Sequence, residues 1–141
     1  MLRLMSTRWD AIVSGEITMP VNDTLGFVLQ RSGDPAESVT ITWEVPKGYL
    51  NSAGSAQGGM LAAFADALMG AACAPHLDPD TYPALAEMKI SIMRPAPAGT
   101  ELVGRGYVVK KGSRVLFVEA EITDRDGTLI ARASGTEIPA Q

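Results

Sequence analysis

Two residue types that carry much of enzyme chemistry are nearly missing from this chain. Its 141 residues include one cysteine, Cys73, and one histidine, His76. A lone cysteine excludes an internal disulfide, and one Cys with one His cannot furnish a zinc site, so no metal is expected. Aromatic residues make up only 6% of the chain. Cations are in deficit, 12 Lys and Arg against 16 Asp and Glu, for a formal net charge of −4. Neutralising a phosphate backbone needs the opposite sign, so no nucleic-acid partner is expected. No apolar run approaches the roughly 20 residues that span a bilayer. The opening MLRLMSTRWD lacks the apolar core of a signal peptide. The expectation is a cytoplasmic chain with no membrane partner.

What remains is ample for one core. Apolar residues are 46% and charged residues 20%, which fits a single folded domain over residues 1–141. Residues 5–14 read as a short helix with Ser6 or Thr7 as N-cap and Gly15 as its end. Residues 16–36 are broken by Pro20, Gly26, Gly33 and Pro35, with a helical turn near a strand expected over 22–29. From Ser38 to Val45 the residues Val39, Ile41, Trp43 and Val45 alternate with polar ones, the pattern of a half-buried strand. Gly58 to Ala74 is rich in Ala, Leu and Met, favours helix, and is apolar nearly all round. The stretch from Pro75 to Pro83 reads as a surface loop. Four strands are then expected, over residues 84–93, 102–110, 114–123 and 128–138, with Ala84, Ala86, Met88, Ile90 and Ile92 sharing one side of the first. The breaks at Lys111–Ser113 and Asp124–Gly127 suit hairpins, so consecutive strands are expected to be mostly antiparallel neighbours. The fold class is α+β, an antiparallel sheet wrapped around a long central apolar helix.

One constellation carries chemistry: Asn51, Gly54, Gln57–Gly58–Gly59 and Asp66. On spacing alone, a glycine pair that permits close packing and a half-exposed helical aspartate is an equally good account. The functional account rests on physics. N–H groups in the first turn of a helix have no intrahelical acceptor and carry partial positive charge. Glycine leaves room for a ligand carbonyl to approach them, the geometry of an oxyanion hole. Asp66 among Phe64, Ala65, Ala67 and Leu68 is a carboxylate retained in an apolar setting, where it needs a partner or a task. Gly58 and Asp66 stand about 12 Å apart along the helix at about 1.5 Å per residue. One small reacting group cannot touch both within one chain. If both act on one carbonyl, they come from two subunits whose helices run side by side and antiparallel.

The pattern N-x-x-G-x-x-x-G-G followed by an acid on a buried helix, then four strands, resembles the hotdog-fold acyl-CoA thioesterases. It is closest to the phenylacetyl-CoA thioesterase type. The resemblance spans residues 38–138 and includes Met93–Gly99, Lys110–Arg114 and Asp126–Ala131. It implies a homodimer or a dimer of dimers that hydrolyses an acyl-CoA to free acid and coenzyme A. No cofactor is implied, coenzyme A being part of the substrate. Gly58 would donate its N–H to the thioester carbonyl. Asp66 of the partner chain would be nucleophile or general base, and Asn51 would orient the water or the thioester. Gln57 stands where these enzymes often have histidine; it can orient but cannot transfer protons near neutral pH. Leu85 stands where some relatives have a water-orienting serine, and Gly70 lacks a hydroxyl found in others. Gly59, Met60 and Phe64, with Leu61 and Met69, would border the acyl group. Lys110, Lys111 and Arg114, with Arg94 and Lys89, would meet the CoA phosphates.

These departures also fit a non-catalytic acyl-CoA or fatty-acyl binding protein on the same fold. A dehydratase would need a catalytic histidine, and His76 lies beyond the helix. Ser52, Ser55 and Ser113 have no histidine at known reach for a triad. Asp78 and Asp80 lack a third ligand for calcium. Cys73, Trp9 and Trp43 read as packing, and Glu87 with Lys89 as a surface pair.

Overall fold

A computed structural model describes residues 6–141. The first residue of the expected 5–14 helix thus lies outside the described part. That helix, α1, runs Arg8–Ser14, with Thr7 as N-cap. The Asp10 N–H donates to Thr7 Oγ1 at 3.2 Å and the Thr7 N–H donates to the Asp10 carboxylate at 2.8 Å, a reciprocal cap. Gly15 ends the helix in the left-handed region at φ 86°. A second short helix, α2 (Pro20–Leu25), leads into a two-residue strand, β1 (Val28–Leu29). These are the turn and strand expected over 22–29.

The sheet is six-stranded and antiparallel. Its further members are β2 (Val39–Glu44), β3 (Tyr82–Ile92), β4 (Glu101–Lys111), β5 (Leu116–Thr123) and β6 (Leu129–Ala140). The strand order is β1-β2-β4-β5-β6-β3. The long helix α3 (Gly58–Cys73) follows β2 and lies across the sheet, contacting β2 to β6. The hotdog architecture expected from the sequence is therefore present. The alternation in β2 is realised, with Val39, Ile41, Trp43 and Val45 all buried.

Three expectations need correction. The first concerns neighbours: β3 does not pair with β4 but crosses to the far edge and pairs with β6. Eight residues, 93–100, carry the chain back to the other half of the sheet, while the two expected hairpins, β4–β5 and β5–β6, are present. The second concerns extent. β3 starts at Tyr82, so the loop is shorter than 75–83, while Arg114 and Val115 belong to the β4–β5 turn rather than to a strand. The third concerns phase. A bulge between Leu85 and Glu87 adds a residue to β3. An added residue inverts which face later side chains occupy. Leu85, opposite Glu137, therefore shares the helix-facing side with Met88, opposite Gly135, while Ala84 does not.

The core is centred where α3 meets β2, β4 and β5. Phe27, Trp43 and Phe64 stack with centroids 5.1 to 5.5 Å apart, and Trp43 Nε1–H donates to the Leu25 carbonyl at 2.7 Å. Burying such rings dominates the stabilisation. Two glycines on β4 let the helix sit down. A Cβ on Gly106 would overlap the Leu68 carbonyl, and one on Gly104 would strike the Leu68 methyls and, at 2.8 Å, Phe64 Cζ. The helical stretch Gly58–His76 has 19 residues and is apolar and long enough to cross a membrane by length and composition, closer to such a span than the sequence reading allowed. Here it is the core helix, packed on the sheet.

Candidate active site

The loop before α3 is built to present backbone. The Asn51 N–H donates to the Ser55 carbonyl at 2.8 Å, and Asn51 Oδ1 accepts from the Ala53 N–H at 2.9 Å and the Ser55 N–H at 3.2 Å. Gly54, at φ 80°, closes the turn. Ala56 N–H donates to Ala96 and Gln57 N–H to Tyr49, at 2.8 and 2.9 Å. Asn51 thus holds the loop through its oxygen, which leaves its amide N–H groups for a ligand. Gln57 is the extended N-cap residue; its side chain is exposed and makes no capping bond.

Gly58 and Gly59 open the helix. The first bonds into Gln57 O come from Met60 and Leu61, and neither the Gly58 nor the Gly59 N–H meets an acceptor among the described residues. Gly58 faces a shallow hollow bordered by Asn51, Leu61, Ile92, Met93 and Arg94. A Cβ on Gly58 would stand 3.2 Å from Ile92 Cδ1, so glycine keeps the donor accessible.

Asp66 lies elsewhere. It opens on a separate apolar cavity of about 290 Å³, floored by Ala63, Ala67 and Gly70 of α3 and roofed by Trp9, Ile12, Met19 and Phe27. In the single chain Asp66 is exposed rather than buried, because it occupies the one side of α3 not laid on the sheet. It makes no hydrogen bond among the described residues. Its apolar surroundings still push its carboxyl pKa up from the ordinary 3.8, since they disfavour the charge.

The other expected residues divide. Phe64 is fully buried against Phe27 and Trp43, and Met69 is fully buried too, so both are core rather than cavity wall. Met60 is half-buried and borders neither the Gly58 hollow nor the Asp66 cavity; the small residues Ala63, Ala67 and Gly70 do that work. Arg94 reaches the Gly58 hollow. Lys110, Lys111 and Arg114 are exposed at the β4–β5 turn. That turn lies at the other end of α3, where Lys111 Nζ donates to the His76 carbonyl at 2.8 Å. Lys89 lies beside Glu119 and Arg132 on the outer face. Cys73 is buried, its thiol pushed up to about 12 chiefly by desolvation. His76 Nε2 is buried without a partner among the described residues, and burial beside Lys111 lowers its pKa.

One residue went unread in the sequence. Glu137 on β6 is 1% exposed, and neither carboxylate oxygen has a hydrogen-bond partner among the described residues. Burial and the charge of Asp66 raise its pKa from 4.5 to about 8. Strand parity was the available signal, because Ala131, Ala133, Gly135 and Glu137 all fall on the inner face.

Comparison with known proteins identifies the family. A family model described as the thioesterase superfamily matches residues 53–131. A phenylacetic acid degradation-related protein of Ralstonia eutropha JMP134 is 30% identical with a TM-score of 0.83, covering 93% of this chain and 98% of that one. The E. coli PaaI protein from the phenylacetic acid degradation operon superposes at TM-score 0.81 over 95% of this chain and 94% of that one, at 20% identity, a likeness of fold. Acyl-coenzyme A thioesterase 13 of Mus musculus is 27% identical over 104 residues, 72% of each chain. The matched segment takes in the Gly58 turn, Asp66 and strands β3 to β5, and the chain belongs to the thioesterase superfamily as a thioester hydrolase.

Proposed function

We propose that the enzyme hydrolyses an acyl-CoA thioester in a homodimer with two composite sites. The observation that carries this is a separation. One chain holds Gly58, its N–H free among the described residues, at one hollow, and Asp66 in another cavity about 12 Å along the helix. Each is half of a site. Edge strand β3 offers the means of joining them. Its outer ladder is unpaired, and Leu85, Ile92 and Met93 beside it are 36%, 44% and 50% exposed. A long apolar edge invites pairing with another strand. Pairing β3 with its symmetry mate sets two α3 helices side by side and antiparallel, Gly58 of one near Asp66 of the other.

In this reading the Gly58 N–H, reinforced by the helix dipole, polarises the thioester carbonyl. Asp66 of the partner either takes a proton from water as it attacks or attacks first itself. In the first case the tetrahedral intermediate collapses to the free acid and the CoA thiolate, which takes the proton held by Asp66; in the second it leaves an acyl–Asp66 anhydride and CoA thiolate, and water then cleaves the anhydride to acid and Asp66, its proton going to the thiolate. The Asn51 amide and Gln57 orient water or substrate. The acyl group enters the cavity beside Asp66, whose volume of about 290 Å³ and Trp9, Met19 and Phe27 walls suit an aromatic or medium-chain acid. Arg94 and the Lys110, Lys111 and Arg114 turn receive phosphates. The reaction draws on water and protein groups only. The free buried Cys73 fits a reducing, cytoplasmic setting.

The test is thiol release over acetyl-, hexanoyl-, phenylacetyl-, benzoyl- and palmitoyl-CoA. Wild type should release thiol; Asp66→Ala and Gly58→Pro should not. Proline at the first helical position removes the donor while the extended Gln57 accommodates it. Mixing the two inactive variants should regain turnover, because one of the two sites in each mixed dimer is then intact. Full activity in Asp66→Ala, or no recovery on mixing, rejects the composite site. Calorimetric binding of acyl-CoA without release by wild type would make the protein an acyl-CoA binder.

A further inference from the structure

We propose that the acyl chamber selects acids that carry a second carboxylate at their far end, and that the Arg8 guanidinium receives it. This rests on the reading of Asp66 given above and names the substrate class of that site.

The cavity beside Asp66 carries two charges, and they stand apart. Every other lining residue is uncharged; Asp66 and Arg8 are the exceptions. Arg8 opens α1 and shares with Ile12, one turn on, the face of that helix turned to the cavity. Its main-chain N–H donates at 2.8 Å to the carbonyl of Leu77, beyond the C-terminal end of α3. Its guanidinium reaches the turn before β3, where Nη1 donates to the Pro79 and Thr81 carbonyls at 3.3 and 3.4 Å. Tyr82 and Pro83 follow directly, and the Pro83 ring stands 3.9 Å from where a Cβ on Gly70 would lie. Arg8 is therefore at the Gly70 and Ala71 end of the cavity. Asp66 lies about 6–8 Å back along the helix, at about 1.5 Å per residue. Burial alone pushes the Asp66 carboxyl pKa up, with no cation beside it to draw it back.

The Arg8 charge is held in place but not neutralised. The two carbonyls are neutral acceptors, and they occupy one of its three nitrogens. Its Nε–H and Nη2 hydrogens meet no acceptor among the described residues. Ion pairs within 4.0 Å join Arg125 to Glu101 and Arg132 to Glu121, and Arg8 has none among the described residues. Asp10, on the same helix, is taken by its cap on Thr7. Asp78 and Asp80 flank Pro79, but both are exposed and neither comes within 4.0 Å of Arg8.

A guanidinium fixed by carbonyls, with a fork of donors left over, is the complement of a carboxylate. A thioester whose carbonyl lies at Asp66 extends its acyl group along Ala67, Gly70 and Ala71. A short chain or one ring covers that distance, and its end arrives at Arg8. A plain hydrocarbon end takes water from the guanidinium and offers no acceptor in exchange. A carboxylate end pairs with it. The same residue thus favours one class of acid and opposes the other.

The measurement is kcat/KM for glutaryl- and adipoyl-CoA against pentanoyl- and hexanoyl-CoA, which match them in carbon count and lack the second carboxylate. It is made on the wild-type protein, Arg8→Met and Arg8→Lys. Wild type should favour the carboxylated member of at least one pair by roughly ten- to hundredfold, the worth of a charge-assisted pair. Arg8→Met should bring that ratio to parity or below. Arg8→Lys, which keeps the charge and loses the fork, should fall between. The ratio compares two substrates on one protein, so any loss of folded enzyme cancels. No preference in wild type, or a preference that survives Arg8→Met, overturns the proposal. An Arg8 that serves a CoA phosphate gives the second of these results, because it acts on all four substrates alike. If wild type releases thiol from none of them, or Asp66→Ala stays active, the proposal falls with the site assigned to Asp66 rather than with Arg8.

Discussion

Against β4, helix α3 keeps Phe64 and Leu68 at 0% exposure and presses its backbone onto Gly104 and Gly106. Towards α1 and α2 the same helix presents Ala63, Asp66, Ala67 and Gly70, and a cavity of about 290 Å³ is left between them. The first flank is packed to the density of a crystal. The second is deliberately unfilled. In the proposed reaction one sixteen-residue helix carries stability on one side and chemistry on the other, so substitutions on the two flanks should fail in different assays.

The sharpest contrast is expected between Asp66 and Phe64. Asp66→Ala should lower kcat by about 10³, the usual scale of an acid–base group, with no loss of Tm. Phe64→Ala should cost about 3–5 kcal/mol in urea unfolding. An equal loss of stability in both would erase the division. Gly106→Ala comes next, at roughly 1–3 kcal/mol, because Leu68 must move as a piece of backbone. Ala67→Leu works in the opposite direction. It fills the cavity and should shift acyl preference towards smaller groups by about tenfold in kcat/KM, with Tm held or raised. The smallest effect is a pH slope in stability. Glu137 has a folded pKa of about 8 against 4.5 unfolded. The unfolded chain therefore releases a proton that the folded chain still holds, and stability should fall as pH rises from 4.5 to about 8. Glu137→Gln should flatten that slope in Tm.

Periodicity made part of this legible. The alternation of Val39, Ile41, Trp43 and Val45 gave β2 its face, and the composition of residues 58–74 gave α3. The Gly58–Gly59 turn was recognisable because a helix start has a known deficit of acceptors. Less could be read where the outcome depends on distant partners. The placement of β3 at the sheet edge depends on the 93–100 crossing, which local pattern does not encode. The bulge at residue 86 reversed its face. The exposure of Asp66 followed from which side of an all-round apolar helix met the sheet, and apolar residues on every side left that choice open. Phe64 was misplaced for the same reason. Glu137 needed the register of β6 against β3 and β5 before its isolation became visible.

The roof over the Asp66 cavity has a wider consequence. Trp9, Ile12, Met19 and Phe27 all come from the first thirty residues, ahead of both β2 and the segment 53–131 shared with the family. The roof is fastened by the Arg8 N–H to the Leu77 carbonyl at 2.8 Å, by Trp43 Nε1–H to the Leu25 carbonyl at 2.7 Å and by the packing of Phe27 on Trp43 and Phe64. The roof over the cavity thus lies outside the family-matched stretch, while Phe27 ties it to the core through Trp43 and Phe64. In the proposed reaction, exchanging Trp9, Ile12 and Met19 of that opening segment would change the acid released while leaving Gly58 and Asp66 in place.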